Sequence, residues 1–162
     1  MIPRVEVTIE SGDWSSVTDI EPLVSRAVSA AASETGLVFA PGAEVSLLFT
    51  DDTRIRALNA AWRGIDKATN VLSFASGEPV GEAVLLGDIA IAFATVRAEA
   101  EAQHKSFVDH LTHLIVHGFL HLVGFDHEID VDAEAMEDME CAILARLGIE
   151  DPYRDIVCHE LE

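Results

Sequence analysis

The most apolar stretch of the chain, residues 107–125, also carries four histidines, at positions 110, 113, 117 and 121. These imidazoles, together with Asp109, would be costly to place in hydrocarbon, so the stretch does not predict a membrane span. Spacings of three and four residues put side chains on one side of an α-helix. The stretch therefore predicts a helix of a globular domain with a face that bears histidines.

The spacing of apolar residues along the chain alternates between that of strands and that of helices. Period-two patterns predict strands at residues 4–10 and 45–49, and β-branched, apolar runs predict buried strands at 71–74 and 85–93. Helical patterns follow at residues 15–35, after a cap at 50–52, and at 94–104, 106–123 and 131–147. The later helices no longer alternate with strands and must cover mainly one face of the sheet. We expect an α+β fold with a small mixed sheet of about four strands.

Length and composition favour one folded domain over residues 1–162, with a loosely held tail from about residue 150. A hydrophobic content of 49% is too high for a disordered chain, despite a formal net charge of -19. This charge argues against a protein that coats DNA. The alternating start of the chain lacks the continuous apolar run of a secretory signal, so nothing there marks the protein for export.

The segment HGFLHLVGFDH has the spacing of a metal site. His117 and His121 lie one helical turn apart and can present their imidazoles to one ion. Gly124 can adopt the positive φ that ends a helix, which would bring His127 back to the same ion. Three neutral imidazoles and an open fourth position are the ligand set of a catalytic Zn²⁺, although another divalent transition metal also fits.

This spacing matches the zincin signature H-E-x-x-H-x-x-G-x-x-H except that Gly118 replaces the glutamate. A peptidase needs that carboxylate to deprotonate water and to pass the proton to the leaving amine. The sequence therefore predicts a zincin-like metal helix without peptidase chemistry.

Other polar residues near this segment are candidates for supporting roles. His110 and His113 project to the same side of the helix as His117, and we expect them to pack or to orient ligands rather than to bind the metal. Proton transfer or the orientation of a ligand imidazole could fall to His113, Asp126 or Asp88, which the sequence does not rank.

Four of the ten basic residues lie within one short segment, at Arg54, Arg56, Arg63 and Lys67. A positive patch beside a metal would hold an anionic substrate, and the arginine fork matches phosphate oxygens, so these residues are candidates for RNA binding. Arg54 and Arg56 have an equally good alternative, which is to form ion pairs. The nearby carboxylates are those of Asp51, Asp52 and Asp66.

The segments WRGIDKATNVLSF, LLGDIAIA and HLTHLIVHGFLHLVGFDH resemble the YbeY family of bacterial endoribonucleases and ribosomal RNA maturation factors. The resemblance covers roughly residues 45–148 in the same order. It implies a cytoplasmic, metal-dependent, single-strand-specific endoribonuclease that acts in small-subunit ribosomal RNA maturation and ribosome quality control. The implied partners are single-stranded RNA and the ribosome or a ribosomal protein, with neither DNA nor a membrane.

The resemblance also assigns residues. The histidines at 117, 121 and 127 fall on the family's zinc ligands, and Arg63 falls on its functionally required arginine. Asp66, Thr69 and Asn70 are interpreted as shaping the loop before a strand. Two alternatives stay open: a non-catalytic ribosome-associated module with a structural metal, and, less favoured, a metallopeptidase.

Overall fold

Four strands and five α-helices make up the part of the chain that the computed structural model describes, which is residues 2–125 and 130–149, with the backbone alone for 130–132. The strands are β1 (Arg4–Ile9), β2 (Glu44–Thr50), β3 (Val71–Ala75) and β4 (Leu85–Ala92). The helices are α1 (Ile20–Thr35), α2 (Asp52–Arg63), α3 (Phe93–Ala102), α4 (Phe107–Leu122) and α5 (Asp130–Arg146). The tail from residue 150 lies outside the described residues.

The strands form one mixed sheet in the order β1-β2-β4-β3. Strands β1, β2 and β4 run parallel, and β3 joins the edge of the sheet antiparallel to β4. Parallel neighbours need a crossover connection, which α1 provides between β1 and β2. The prediction of a single α+β domain with a mixed sheet of about four strands is confirmed.

The two faces of the sheet are covered unequally. Alternate residues such as Leu47 and Ile89 point into the main core, where α1, α4 and α5 also bury their apolar sides. The opposite face has a smaller core around Ile55 of α2, together with Leu72 and Ala90. Helices thus lie mainly on one face, as expected, and α2 covers part of the other.

The first helix begins later than the periodicity predicts. Residues Gly12–Ser16 form a short 3₁₀ helix, and α1 starts only at Ile20 after Asp19, which adopts a left-handed φ of 58°. The reason is the burial of Trp14, whose Nε1–H donates to the Thr50 carbonyl oxygen at 2.8 Å. That indole must reach the end of β2, so the chain turns there before the helix begins.

Helix α4 has a defined beginning and end. The Ser106 side chain accepts a hydrogen bond from the Asp109 amide at 3.0 Å, which caps the N-terminus. After Leu122 the chain turns through Gly124, whose φ is +105°, and the Phe125 amide donates to the Leu120 carbonyl at 3.0 Å. Gly124 therefore ends the helix in the way its position predicts. Among the described residues, no helix has the length and apolarity needed to cross a bilayer.

Candidate metal and RNA site

Helix α4 lies unusually close to the sheet at Gly118. The Ser73 hydroxyl on β3 donates to the Gly118 carbonyl at 3.2 Å. A Cβ atom at this position would lie 3.0 Å from Cγ2 of Ile89 and 3.1 Å from Oγ of Ser73. Glycine lets the helix approach β3 and β4, so the histidines on the adjacent side of the helix lie next to the sheet edge.

Two imidazoles of α4 converge. The Nε2 atoms of His117 and His121 lie 3.2 Å apart. Two nitrogens bound to one tetrahedral Zn²⁺ at about 2.0–2.1 Å are separated by roughly 3.3–3.4 Å. The distance fits two corners of such a site, and it also fits a hydrogen bond between the rings. The donor set of these two residues is therefore compatible with Zn²⁺.

A buried carboxylate from α5 determines which ring nitrogen of His117 acts as a hydrogen-bond donor. Glu140 is 0% exposed, and its Oε2 lies 2.6 Å from Nδ1 of His117. Burial alone would raise the pKa of Glu140, but hydrogen bonds from His113 and His117 outweigh it and lower the pKa to about 2. An ionised carboxylate only accepts, so Nδ1 of His117 is the donor in this contact, and the neutral form of the ring is the tautomer with a lone pair on Nε2. This is the arrangement that orients a metal-binding histidine.

The other two histidines of α4 are held by carboxylates and do not reach the converging pair. Nε2 of His113 lies 3.2 Å from Oε1 of Glu140. His110 is buried, and its Nε2 lies 2.9 Å from Oε1 of Glu99 on α3. Burial lowers the pKa of His110, against the opposing hydrogen bond from Glu99. The structure thus places His110 against the carboxylate of α3 and His113 against that of α5.

An open cavity of about 570 Å³ lies in front of the converging pair, and we call it the histidine cavity. Its lining residues are Arg63, Thr69, Asn70, Val71, Ser73, Ala75, His117, His121, Gly124 and Phe125. The volume falls within the usual range for ligand sites. The structure therefore brings Arg63 to the same cavity as two of the predicted metal ligands, although they are far apart in the sequence.

Arg63 is the last residue of α2, and the hydrogen bonds around the end of this helix fix its position. Gly64 ends the helix with a φ of +72°, and its amide donates to the Ala60 carbonyl at 3.2 Å. Asn59, which is buried, donates from Nδ2 to the Lys67 carbonyl at 2.9 Å and holds the following loop. Among the described residues, no hydrogen bond or ion pair engages the Arg63 guanidinium. Its five donors are therefore available to a ligand.

The remaining basic residues do not line the histidine cavity. Arg56 forms a two-point hydrogen bond with Asp66, at 2.7 and 3.1 Å, which raises the pKa of Arg56 and lowers that of Asp66. Arg54 lies 3.7 Å from Glu10. Lys67 is exposed in the loop after α2. The ion-pair alternative is confirmed for Arg56 with Asp66, whereas Arg54 pairs with Glu10 and not with Asp51 or Asp52.

One candidate for a supporting role is wrong. Asp88 on β4 is exposed on the face of the sheet opposite α4, because its neighbour Ile89 is the residue that contacts Gly118. It cannot orient a histidine of that helix. Asp126 and His127 lie outside the described residues, so the third ligand stays a prediction. Within residues 2–125 and 130–149, no group of three or more His, Cys, Asp or Glu residues is placed to hold a metal ion.

Sequence reasoning missed Glu140. It lies within the apolar side of α5, four residues after Met136 and four before Leu144, and both of these are buried. A carboxylate at a core position requires a buried partner, and this signal could have singled it out. The sequence predicts only a loop role for Asn70. Its Nδ2 also donates to both carboxylate oxygens of Glu99, at 3.0 and 3.2 Å, while the residue lines the histidine cavity.

Fold and site together define an α+β protein in which a histidine pair and an arginine share one open cavity. A family model described as Endoribonuclease YbeY matches residues 6–148. The chain therefore belongs to the endoribonuclease YbeY family, and the resemblance inferred from the sequence is confirmed.

Individual relatives agree with this assignment. The chain is 52% identical over 158 residues to the endoribonuclease YbeY of Rhodopseudomonas palustris strain BisB18, and the match covers 94% of each chain. It is 48% identical to the endoribonuclease YbeY of Methylocella silvestris, over 96% of this chain and 88% of that protein. The fold is similar to the solution structure of TM1509 from Thermotoga maritima, with a TM-score of 0.57 at 23% identity, over 89% of this chain and 91% of that one.

Proposed function

We propose that this protein is a metal-dependent, single-strand-specific endoribonuclease that acts in the cytoplasm in small-subunit ribosomal RNA maturation and ribosome quality control. The observation that carries the proposal is the convergence of His117 and His121 in a cavity that also contains Arg63. The similar proteins of R. palustris and M. silvestris, both named endoribonuclease YbeY, support it. Its substrate is RNA, and the ribosome or a ribosomal protein is the expected partner.

The residues proposed to hold a Zn²⁺ ion are His117 and His121, with His127 as the third ligand. When bound, this ion supplies Lewis acidity, which lowers the pKa of water and polarises a phosphoryl oxygen. The carboxylate of Glu140 keeps the proton of His117 on Nδ1 and leaves Nε2 for ligation. Glu140 thus acts as a positioning residue for this ligand.

Arg63 is proposed to bind the scissile phosphate. Its guanidinium can donate two parallel hydrogen bonds to phosphate oxygens and neutralise the negative charge that develops on them during attack. The leaving oxygen also needs a proton. Of the predicted candidates, His113 is turned toward Glu140 and Asp88 lies across the sheet, so we assign this role to Asp126 as a proposal.

Gly118 weighs against the peptidase alternative. It occupies the position at which a zincin carries its glutamate, and a Cβ atom there would already crowd Ile89 and Ser73. The position faces the sheet, so a glutamate on this residue would have to displace the side chains of Ile89 and Ser73. The following experiment distinguishes the proposed endoribonuclease from the other alternative, a non-catalytic module with a structural metal.

The test is removal and return of the metal. Protein stripped with a chelator is expected to stay folded at a lower melting temperature, to lose cleavage of an unstructured RNA and to regain this cleavage when Zn²⁺ is added. The measurements are metal content, cleavage on a gel and thermal unfolding. If the metal changes only the melting temperature and wild-type protein cleaves no RNA, the non-catalytic module is correct and the endoribonuclease proposal fails.

A second prediction concerns Glu140. The substitution Glu140→Gln keeps the shape of the side chain but replaces the charged acceptor of His117, so Zn²⁺ affinity should fall by roughly 10- to 100-fold. The measurement is competition for Zn²⁺ with a chromogenic chelator. As a matched control, Glu101→Gln removes an exposed carboxylate paired with Arg97 on α3 and should leave Zn²⁺ affinity unchanged. Equal affinity in both variants would contradict the positioning role.

A further inference from the structure

The face of the sheet opposite α4 carries a second open cavity, which we call the tryptophan groove. Its volume is about 460 Å³, and much of its lining is apolar, including Leu48, Leu58, Trp62, Phe74 and Ala90. Trp62 is 72% exposed, although it is the largest side chain of the groove. Its ring centroid lies 6.2 Å from that of Phe74 at an interplanar angle of 59°. Phe74 thus supports one side of the indole, while most of its surface faces solvent.

The tryptophan groove and the histidine cavity adjoin each other across β3. Trp62 lines the groove, and the next residue, Arg63, lines the histidine cavity. The same division occurs on the strand itself, where Phe74 faces the groove while Ser73 and Ala75 face the cavity. Because β3 is the edge strand of the sheet, a polymer bound in the cavity can continue over this edge into the groove.

Charge limits how this protein can hold RNA. The formal net charge is -19, so the protein as a whole repels phosphates, and favourable phosphate contacts are confined to local positions such as Arg63. Stacking of bases on aromatic side chains contributes to the binding of single strands and does not require positive charge. Two carboxylates, of Glu6 and Asp88, also line the groove. They disfavour a phosphate there and can accept hydrogen bonds from base amino groups, so the groove suits a base better than a backbone.

We propose that Trp62, supported by Phe74, is a stacking platform for an unpaired base of the RNA strand that crosses the β3 edge from the histidine cavity. The inference rests on the proposed function, since it assigns a second contact to the same substrate. It accounts for the exposure of a large indole beside the arginine of the site. It also explains how a strongly acidic protein retains a single strand.

Fluorescence gives a direct test, because the chain has two tryptophans in contrasting environments. Trp14 is 1% exposed, whereas Trp62 is largely accessible, so quenching by a stacked base reports on Trp62. A short oligoadenylate is titrated into a His121→Ala variant, which is used to prevent cleavage, and into the same variant with Trp62→Phe. We expect strong quenching in the first protein and its loss in the second. Absence of quenching in the first overturns the inference.

Kinetics give an independent test. Trp62→Ala should raise the KM for the same oligoadenylate by roughly 5- to 150-fold with little change in kcat, the range expected for one stacked base. Trp62→Phe should restore part of the loss, because it keeps an aromatic ring. Val38→Ala, which changes another highly exposed apolar residue, is the matched control and should leave KM unchanged.

The outcomes separate the two proposals. If wild-type protein cleaves RNA while Trp62→Ala keeps the wild-type KM, the stacking platform is refuted and the proposed function stands; the groove is then open to a protein partner. If wild-type protein fails to cleave RNA in the presence of Zn²⁺, the proposed function fails, and the fluorescence titration still decides whether a base stacks on Trp62.

Discussion

Replacing His121 with alanine is expected to reduce RNA cleavage to the background of the assay. The substitution removes one of the two Nε2 atoms that lie 3.2 Å apart, so the proposed metal site loses one of its ligands. Loss of a residue that hydrogen-bonds to a metal ligand already lowers metal affinity by about 10- to 100-fold, and loss of the ligand itself should lower it further. Metal content and cleavage of an unstructured RNA, measured on the same preparation, check this expectation.

A histidine outside the site provides the control for this experiment. His104 is exposed after α3 and has a φ of 56°, so His104→Asn is preferable to alanine because asparagine tolerates this conformation. This variant should bind metal and cleave RNA like the wild type. Cleavage by the His121→Ala variant at the wild-type rate would show that a contaminating ribonuclease or another site is responsible.

Replacing Arg63 with alanine should lower cleavage by about 10²- to 10³-fold, the usual loss when one donor to a developing oxyanion is removed. Metal content should not change, since the guanidinium is on α2 and the histidines are on α4. The melting temperature should also change little, because the side chain is exposed. Single-turnover cleavage with metal-loaded protein measures the effect on the chemical step.

Two further variants sharpen the assignment of Arg63. Arg63→Lys keeps the charge but not the planar fork, so it should recover only part of the rate. Arg54→Ala removes an exposed guanidinium from the first turn of the same helix, where it lies near Glu10, and should have little effect. Full activity of Arg63→Ala, or loss of metal from it, would rule out its proposed role at the phosphate.

Most of the fold is predictable from the sequence because burial imposes a period on each element. Alternating apolar residues identify β2, where Val45 and Leu47 enter the main core, and helical spacing identifies α4. The start of α1 is not predictable in this way. Its boundary depends on the hydrogen bond from Trp14 to Thr50, two residues far apart in the chain, and no local pattern encodes that contact.

The same distinction applies to the site. The pair formed by His117 and His121 can be inferred because helical geometry fixes residues four apart. The hydrogen bond between Glu140 and His117 depends on how α5 packs on α4. The prediction for Asp88 is wrong because it depends on which face of β4 contacts that helix. Local spacing therefore predicts the converging histidines, whereas the groups that hydrogen-bond to them follow from tertiary packing.

The close approach of α4 to the sheet at Gly118 has a consequence for how this scaffold can evolve or be engineered. Any side chain at that residue would require the side chains of Ile89 and Ser73 to give by a few tenths of an ångström, on the same helix that carries the imidazoles. A carboxylate introduced there is therefore best combined with a smaller side chain at residue 89, which relieves the tightest contact and lets the imidazoles keep their positions.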